Sequence, residues 1–286
     1  MPADRMRLPD WAKKKLGASG GIHAMKAILR KRGLHTVCES ARCPNIGECF
    51  SKPTATFMIL GGVCTRRCGF CSVDKHQSPL LVDPHEPANI ALTAKELGLR
   101  HVVVTSVTRD DLADGGAGQF ALTIKAIKDT ISDISVEVLT PDFNGDEAAL
   151  RLVFDARPDI FNHNVETVPS LYPVVRPQAD YRSSLGVLKA AHSDGLLVKS
   201  GIMAGLGEDG GEVKATLRDL LEAGCDAVTI GQYLQPTRNN LPVKEYVTPE
   251  IFKEYEAYGL EIGLKHVYSG TFVRSSYNAE IFASSR

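Results

Sequence analysis

TFMILGGVCTRRCGFC, residues 56–71, contains both the first strand signal of the chain and a close group of thiols. The apolar segment 56–61 predicts a short buried strand. Cys64, Cys68 and Cys71 follow it directly in a CxxxCxxC arrangement. In parallel α/β folds, functional groups lie at the carboxyl ends of the strands. The three thiols therefore stand where such a fold would place its active site.

The same alternation of apolar and amphipathic segments continues along the chain. Most of the apolar segments are bounded on both sides by longer amphipathic ones, which is typical of parallel strands covered by helices. Six βα units in series predict an α/β fold, a partial (β/α)6 TIM-type barrel, with a doubly wound sheet as the alternative. Further strands, some with their following loops, are predicted at 101–107, 134–140, 160–166, 196–208 and 227–236, and helices at 89–99, 118–130, 146–156, 181–194, 212–224 and 249–263.

This pattern divides the chain into three parts. Residues 1–54 form an N-terminal extension, residues 55–263 the partial barrel, and residues 264–286 a C-terminal tail. A partial barrel is open on one side, so it can admit a bulky substrate. The sequence shows no internal repeat beyond the βα alternation and no low-complexity tract.

Charge and hydropathy exclude several classes of partner. The net charge is -1, from 33 basic and 34 acidic residues, so no global field favours nucleic acid or an anionic membrane. The first residues lack the apolar core of a signal peptide, and the apolar run 57–63 is too short to span a bilayer. We expect a cytoplasmic protein, a monomer by default, with no nucleic-acid and no membrane partner.

Six of the seven cysteines lie within 34 residues. Ahead of the CxxxCxxC group, Cys38, Cys43 and Cys49 form a second triplet, CxxxxCxxxxxC. In a reducing cytosol, such clusters indicate metal binding or catalysis rather than disulfides, and the odd total also argues against a closed disulfide set. Cys225 stands apart and is interpreted as a small buried hydrophobic residue.

The spacing of the two triplets favours an iron–sulfur site over a zinc site. Zinc sites take four nitrogen or sulfur ligands, usually from paired CxxC or HxxxH motifs, and neither pairing occurs here. Iron–sulfur clusters also use thiolates, usually four. A three-cysteine loop leaves one iron without a protein thiolate, and that iron can bind another ligand. A zinc or disulfide loop remains the alternative.

CxxxCxxC after the first strand of a βα array, with Phe70 before the last cysteine, resembles the radical S-adenosylmethionine superfamily. The resemblance implies that Cys64, Cys68 and Cys71 hold a [4Fe–4S] cluster whose open iron binds S-adenosylmethionine. It also implies reductive cleavage to a 5′-deoxyadenosyl radical that abstracts hydrogen from an unactivated C–H bond. The protein then supplies positioning and exclusion of water.

Further motifs over roughly residues 8–280 resemble one family within this superfamily, the lipoyl synthases. They are CPNIGEC (43–49), TSVTRDDLADGG (105–116), NHNVETVPSLYPVVRPQADY (162–181), VKSGIMAGLGE (198–208), GQYLQPTRNNLPVKEYVTPEIF (231–252) and FVRSSYNA (272–279).

Membership in that family implies a second, auxiliary [4Fe–4S] cluster on Cys38, Cys43 and Cys49. Its fourth ligand would be Ser276 of the RSSY motif, with Ser275 as the alternative. The implied reaction inserts sulfur at C6 and then C8 of an octanoyl chain carried on a protein lysine, and the auxiliary cluster is consumed as the sulfur donor. The two clusters must lie close together, because a free alkyl radical needs its sulfur within contact distance.

The resemblance also indicates residues that would bind S-adenosylmethionine. Ser106 would contact the methionyl amino group, and Asn164 and Glu166 the ribose or the methionine. Arg176 would pair with the carboxylate through its planar fork. For each of these residues, helix capping or loop packing is the alternative. Phe70 of the cysteine loop and Met203, in the glycine-rich segment beside the adenine, complete the set.

Other residues near these motifs carry weaker expectations. Arg66 and Arg67 either offset the cluster charge or point to solvent. His163 is interpreted as a packed loop residue, and Asp110 and Asp111 as helix caps rather than an acid or a base. Hydrogen-atom abstraction needs no proton-transfer pair, so no catalytic acid or base is assigned.

Partners follow from the family reaction. They are an octanoylated carrier (the glycine-cleavage H protein or a lipoyl domain of a 2-oxoacid dehydrogenase), a flavodoxin or ferredoxin as electron donor, and an iron–sulfur carrier that rebuilds the auxiliary cluster. Two positions depart from the family pattern: Asn240 stands where His is expected, and Thr271 where Pro is usual. We expect neither to contact a cysteine or the RSSY motif. They would alter carrier contacts or loop stiffness.

Three other functions share some of these features. A biotin-synthase-like sulfur inserter would share the CxxxCxxC loop but lack the first triplet and the RSSY tail. A non-catalytic iron–sulfur scaffold would not need strand-end loops shaped for S-adenosylmethionine. A zinc-binding interaction module would contain zinc and no sulfide.

Overall fold

One eight-stranded sheet organises the computed structural model, which describes residues 6–14, 19–51, 56–75 and 79–276. Residue 55 and Tyr277 of the RSSY motif lie outside the described residues. In chain order the strands are β1 (His35–Thr36), β2 (Thr56–Ile59), β3 (Val63–Cys64), β4 (Asp74–Lys75), β5 (His101–Ser106), β6 (Ser135–Leu139), β7 (Ile160–Asn162), β8 (Leu197–Ala204), β9 (Ala227–Gln232) and β10 (His266–Gly270).

Helices follow the strands of the large sheet and cover them. The α-helices are α1 (Ser19–Lys31), α2 (Val37–Ser40), α3 (Ile46–Ser51), α4 (Glu86–Glu96), α5 (Ala117–Thr130), α6 (Glu147–Asp155), α7 (Tyr172–Val175), α8 (Tyr181–Ser193), α9 (Gly210–Glu222) and α10 (Pro249–Glu261). Short 3-10 helices occupy Asp10–Ala12, Phe143–Gly145 and Pro169–Leu171. Within the described ranges, no helix has the length and apolar character needed to cross a membrane.

The strand order of the large sheet is β1-β2-β5-β6-β7-β8-β9-β10. β1 is antiparallel to β2, and the neighbouring pairs from β2 to β10 are all parallel. Along the chain, α4 lies between β2 and β5, α5 between β5 and β6, and α6 between β6 and β7. α8 lies between β7 and β8, α9 between β8 and β9, and α10 follows β9. This confirms the predicted partial (β/α)6 TIM-type architecture.

β10 is a parallel strand that the periodicity does not predict. It pairs with β9 from His266 opposite Ala227 to Gly270 opposite Gly231. Within it only Val267 is buried, so the segment lacks the apolar run that identifies the other strands. The sheet therefore continues past residue 263. The division of the chain at residues 54 and 263 remains a prediction.

The core lies between the strands and the inner faces of the helices. Phe120, Ile124 and Ile127 of α5 are fully buried and recur at helical spacing. Each such side chain contributes about 1.5–3 kcal/mol when it leaves water. Side-chain caps fix the starts of α2, α6, α8, α9 and α10, and Asp209 with Glu212 forms a complete capping box at α9.

Strand register brings the carboxyl ends of the central strands to one level. Ile59 of β2 lies opposite Ser106 of β5, and Leu139 of β6 lies between Thr105 and Asn162. The segments that follow these strands therefore meet at one edge of the sheet. This edge carries the candidate site.

Candidate active site

A cavity of about 500 Å³ opens at the carboxyl ends of the strands. Residues from the N-terminal segment, the strand-end loops and the C-terminal segment all line it. Every site residue predicted from the sequence is among them: Cys38, Cys43, Cys49, Cys64, Cys68, Phe70, Cys71, Ser106, Asn164, Glu166, Arg176, Met203, Ser275 and Ser276.

A turn with positive φ angles leads from β2 into the CxxxCxxC loop. Leu60 has φ of 67° and Gly61 has φ of 86°. The buried carboxylate of Glu86 accepts a hydrogen bond from the Leu60 amide at 2.9 Å and another from Gln119 Nε2 at 3.0 Å. A left-handed conformation is unfavourable for leucine, so this carboxylate fixes a turn that the backbone would not adopt by itself.

Arg66 holds the cysteine loop against two neighbouring loops. Its guanidinium donates to both oxygens of Asp142 at 2.7 Å and to Asp110 at 2.8 and 2.9 Å. Arg66 and Asp142 are both buried, and Arg66 holds the pKa of Asp142 at about 2 despite that burial. Arg66 therefore anchors the loop instead of pointing to solvent, whereas Arg67 is exposed.

The expectation that Asp110 and Asp111 cap the next helix is wrong. Asp110 binds Arg66, and Asp111 binds Arg109 at 2.8 Å. The side chain of Asp114 accepts from the amides of Gly116 and Gly118 at the start of α5 instead. Asp110 and Asp111 therefore form ion pairs with Arg66 and Arg109.

The first triplet is folded into a compact N-terminal unit. Cys38 lies in α2, whose start is capped by the Thr36 side chain, and Cys43 N donates to Cys38 O at 3.1 Å. Cys49 lies in α3. Between them, Asn45 Nδ2 donates to Phe272 O at 2.8 Å, which joins this unit to the segment that carries the RSSY motif.

Burial raises the pKa of several of the thiols above the ordinary cysteine value. It raises the pKa of Cys38 to about 12 and that of Cys71 to about 11, and it also raises the pKa of Cys68. These groups are protonated thiols at neutral pH when no metal is present. Iron binds thiolates, so binding at these positions releases protons.

The donor set fits an iron–sulfur cluster better than a single metal ion. Across the described ranges, no three His, Cys, Asp or Glu side chains converge closely enough to ligate one ion. A cubane cluster takes one thiolate at each of several irons, so its ligands surround a wide space instead of a point. Six soft sulfur donors around one cavity match that requirement.

The two serines of the RSSY motif differ in their contacts. Ser275 exchanges hydrogen bonds with the Asn164 side chain at 2.7 and 2.9 Å. Ser276 also lines the cavity, and it has no hydrogen bond to another described residue. Arg274 beside them is held by the carbonyl of Val273 at 2.6 Å. Ser276 is therefore the serine whose oxygen is available to a ligand.

Arg176 and Glu166 lie together in the wall of the cavity. Arg176 Nη1 donates to Asn164 O at 3.0 Å and to Tyr172 Oη at 3.0 Å, while its buried Nε has no partner among the described residues. Burial raises the pKa of Glu166, and the positive charge of Arg176 opposes that rise. The unpartnered Nε gives Arg176 a donor for an anionic ligand group.

Polar atoms without partners also lie at the carboxyl ends of three neighbouring strands, β5, β6 and β7. Within the part of the chain that the structure describes, Ser106 Oγ, Thr140 Oγ1 and His163 Nε2 are buried and have no hydrogen bond. We call Ser106, Thr140 and His163 the upper polar row. His163 Nδ1 lies 2.9 Å from Thr140 O, and burial lowers its pKa to about 4, so its ring is neutral.

Apolar residues complete another part of the wall. Phe70 and Met203 pack against a small cluster that contains Val175, Leu206 and Tyr233. The predicted contacts Phe70 and Met203 thus share one apolar surface beside the cysteine loop. The sequence gives no signal for Tyr233, whose hydroxyl donates to Leu241 O at 2.7 Å.

Both departures from the family pattern contact the site, so the expectation of no contact is wrong. Asn240 Nδ2 donates to the carbonyl of Cys71 at 2.8 Å. The carbonyl of Thr271 accepts from Arg274 of the RSSY motif at 3.4 Å. The first contact joins positions 169 residues apart, whereas the second is local to the turn after β10.

Two family models match the chain. The model of the radical SAM superfamily matches residues 58–220. The model of the N-terminal domain of lipoyl synthase of the radical SAM family matches residues 2–43. The first range contains Cys64, Cys68 and Cys71, and the second contains Cys38 and Cys43.

Curated relatives match over almost the whole length. A lipoyl synthase of Chlorobaculum parvum is 54% identical over 275 residues, which cover 96% of this chain and 94% of the relative. A lipoyl synthase of Rubrobacter xylanophilus is 56% identical over 273 residues, covering 95% and 85%. The crystal structure of methylornithine synthase is similar in fold, with a TM-score of 0.54 at 14% identity, covering 98% of this chain and 88% of that one.

Proposed function

The chain belongs to the lipoyl synthase family of radical S-adenosylmethionine enzymes, and from that premise we propose how its residues divide the reaction between them. The activity is insertion of two sulfur atoms, at C6 and C8, into an octanoyl chain bound to a carrier protein. Bound S-adenosylmethionine and [4Fe–4S] clusters supply the radical and the sulfur. The observation that carries the assignment is that both cysteine triplets and both serines of the RSSY motif line one cavity.

Cys64, Cys68 and Cys71 would hold the cluster that binds S-adenosylmethionine. Their loop follows β2 at the carboxyl edge of the sheet, and the Arg66 clamp on Asp142 fixes it there. Reorienting an arginine that is bound to two carboxylates would break both ion pairs. The loop therefore stays fixed, and the thiolates keep their spacing when the metal binds. The role of Arg66 is thus to hold the loop.

Cys38, Cys43 and Cys49 would hold the auxiliary cluster, with Ser276 as its fourth ligand. Ser275 is the weaker candidate because Asn164 already occupies its hydroxyl. The bond between Asn45 and Phe272 O supports this set, since it keeps the N-terminal unit beside the RSSY segment. A serine oxygen is a harder ligand than a thiolate and suits a cluster that must open to give up sulfur.

The strand-end residues would position S-adenosylmethionine. Arg176 offers its unpartnered Nε to the methionyl carboxylate, and Ser106 has a free hydroxyl for the amino group. Asn164 and Glu166 are already hydrogen-bonded to each other, at 3.1 Å, as a preformed polar pair for the ribose or the methionine. Phe70 and Met203 would pack on the adenine and exclude water.

The identities of the partner proteins are proposed from the family reaction. The carrier would be the glycine-cleavage H protein or a lipoyl domain of a 2-oxoacid dehydrogenase. A flavodoxin or a ferredoxin would supply electrons, and an iron–sulfur carrier would rebuild the auxiliary cluster. We place the chain in the cytoplasm, where thiols stay reduced until iron binds them.

Mass spectrometry of an octanoyl-lysyl peptide tests the function. The anaerobically reconstituted chain is incubated with the peptide, S-adenosylmethionine and dithionite. We expect the peptide to gain two sulfur atoms through a one-sulfur intermediate. If 5′-deoxyadenosine forms while the peptide stays unchanged, radical generation stands and the octanoyl substrate is wrong.

The assignment of the fourth ligand is tested with a matched serine pair. We expect Ser276→Ala to lower sulfur insertion by at least about 100-fold, because removing even an outer partner of a metal ligand costs about 10–100-fold and Ser276 would be a direct ligand. Formation of 5′-deoxyadenosine should persist. Ser275→Ala is the control and should retain insertion. The reverse ranking would assign the ligand to Ser275.

A further inference from the structure

The loop that follows β9 closes onto the CxxxCxxC loop. Leu241 N donates to Gly69 O at 3.0 Å, and Asn240 Nδ2 donates to Cys71 O at 2.8 Å and to Gly69 O at 3.3 Å. On the other side, Gly69 N donates to Val175 O at 2.9 Å. The segment between Cys68 and Cys71 is therefore held by hydrogen bonds to the loop after β9 and to the end of α7.

The orientation of the Asn240 amide is fixed by its own partners. Its Oδ1 accepts from Thr237 Oγ1 at 2.6 Å, and its backbone carbonyl accepts from Gln235 Nε2 at 2.7 Å. The oxygen is used on one side, so the NH₂ group faces the cysteine loop. Asn240 is buried, so water does not compete well for these bonds.

We propose that Asn240 is a positioning residue for the radical-generating cluster. It acts through the backbone of the loop, because it fixes the carbonyls of Gly69 and Cys71 and thereby the direction in which Cys68, Phe70 and Cys71 project. Lys75 Nζ also donates to Cys71 O, at 2.7 Å, but from an exposed position. The inference rests on the proposed assignment of Cys64, Cys68 and Cys71 to that cluster.

This role connects the cavity wall to the cluster. Gln235 and Pro236, in the same loop as Asn240, line the cavity. The loop that carries Asn240 thus contacts both the cavity and the cysteine loop. An amide at this position provides the donor for Cys71 O without adding a charge next to the carbonyls.

Asn240→Asp tests the role, with Asn239→Asp as the matched control. The first substitution keeps the shape but replaces the NH₂ donor with a carboxylate oxygen that faces two carbonyls. The second makes the same chemical change at the neighbouring residue, which is exposed. Both full-length holoproteins are compared with the unsubstituted chain for iron and sulfide content. Rates of 5′-deoxyadenosine formation per cluster, and the electron paramagnetic resonance spectrum of the reduced clusters with and without S-adenosylmethionine, are then measured.

We expect Asn240→Asp to change the spectrum recorded with S-adenosylmethionine and to slow 5′-deoxyadenosine formation per cluster about 10-fold, the effect of losing one buried hydrogen bond. Asn239→Asp should match the unsubstituted chain. Asn240→His, which restores an N–H donor, should recover the spectrum. If the aspartate variant is insoluble, Asn240→Ala removes the same donor without a charge and is measured in its place.

An unchanged spectrum and rate in the Asn240 variants would overturn the proposal. So would a lower cluster content with an unchanged rate per cluster, because that result describes a residue needed only for stability. A chain that never cleaves S-adenosylmethionine, even without substitutions, would instead overturn the cluster assignment and this inference with it.

Discussion

Polar side chains are buried at two levels of the barrel, and they are partnered differently. One group, from β5 to β8, consists of His101, Glu137, Asn162 and Lys199, which we call the lower polar cluster. Lys199 Nζ lies 3.1 and 3.2 Å from the two oxygens of Glu137, and Asn162 Nδ2 donates to Glu137 Oε1 at 2.9 Å. The two opposite charges of this buried pair are therefore matched within the protein, although His101 Nε2 and Asn162 Oδ1 have no hydrogen bond among the described residues.

The upper polar row, at the strand ends, contains no ion pair of this kind in the described part of the chain. Ser106 Oγ, Thr140 Oγ1 and His163 Nε2 have no partners among the described residues, although all three are buried. A buried polar atom left without a hydrogen bond costs about 1–3 kcal/mol. Such a cost is expected where a ligand is to be bound, and this row lines the same cavity as the cysteines.

The difference separates structural polarity from functional polarity. Polar residues that pair with each other specify how the strands pack, and their removal should affect folding. Polar residues without a protein partner contribute little to folding, and their removal should affect binding. Three substitutions test this distinction, and their expected effects decrease from the lower cluster to the upper row.

The largest effect is expected for Lys199→Met in the lower polar cluster. The substitution leaves the Glu137 carboxylate buried without its main counter-charge, and breaking such a pair costs about 3–5 kcal/mol. The free energy of unfolding, measured in urea by circular dichroism, should fall by that amount. The double variant Lys199→Met with Glu137→Gln should recover part of the loss. A Lys199→Met variant as stable as the unsubstituted chain would contradict the structural role of the cluster.

The sequence predicts the elements of the site well because their signals are local. Apolar periodicity identifies the strand before Cys64, and cysteine spacing identifies both triplets without any knowledge of tertiary contacts. The structure then brings all the predicted residues to one cavity. Their roles as ligands remain predictions.

Contacts between distant parts of the chain were not predictable in the same way. Arg66 meets Asp110 and Asp142 at sequence separations of 44 and 76 residues, and Asn240 meets Cys71 at 169. No local pattern marks Asp110, Asp142 or Asn240 as the partners in these contacts, since each is an ordinary polar residue outside the regular strands and helices. β10 was not predicted for a related reason. It has one buried residue, so its main stabilisation is the pairing with β9, which no local pattern indicates.

An intermediate effect is expected from the protonation of His163. Burial lowers its pKa in the folded protein to about 4, whereas the pKa of an unfolded histidine is about 6.5. The unfolded state binds more protons between these values, so stability is lost as the pH falls through this window. Between pH 7 and pH 5, the loss attributable to His163 is about 2 kcal/mol.

The His163 effect is measured as a difference between two proteins. Urea unfolding of the unsubstituted chain and of His163→Gln is compared at pH 7 and at pH 5, under anaerobic conditions. The histidine protein should lose more stability than the glutamine variant. Equal losses would show that the ring gains a proton as readily in the cavity as in water.

The smallest effect on stability is expected for Thr140→Val in the upper polar row. Its hydroxyl has no partner among the described residues, so the substitution should leave the free energy of unfolding unchanged or raise it by up to about 1 kcal/mol. Binding of S-adenosylmethionine, measured by equilibrium dialysis with the reconstituted protein, should weaken several-fold if the row faces the ligand, since one hydrogen bond is worth about 1 kcal/mol.

Thr123→Val is the matched control for this prediction. Thr123 is equally buried, but its hydroxyl donates to Gln119 O at 2.7 Å, within α5. The same chemical change should therefore lower stability by about 1 kcal/mol there and leave binding unaffected. If both valine variants lose equal stability, the Thr140 hydroxyl has a partner inside the protein. The contrast between the two polar levels would then be wrong at that residue, and the row would no longer mark where a ligand binds.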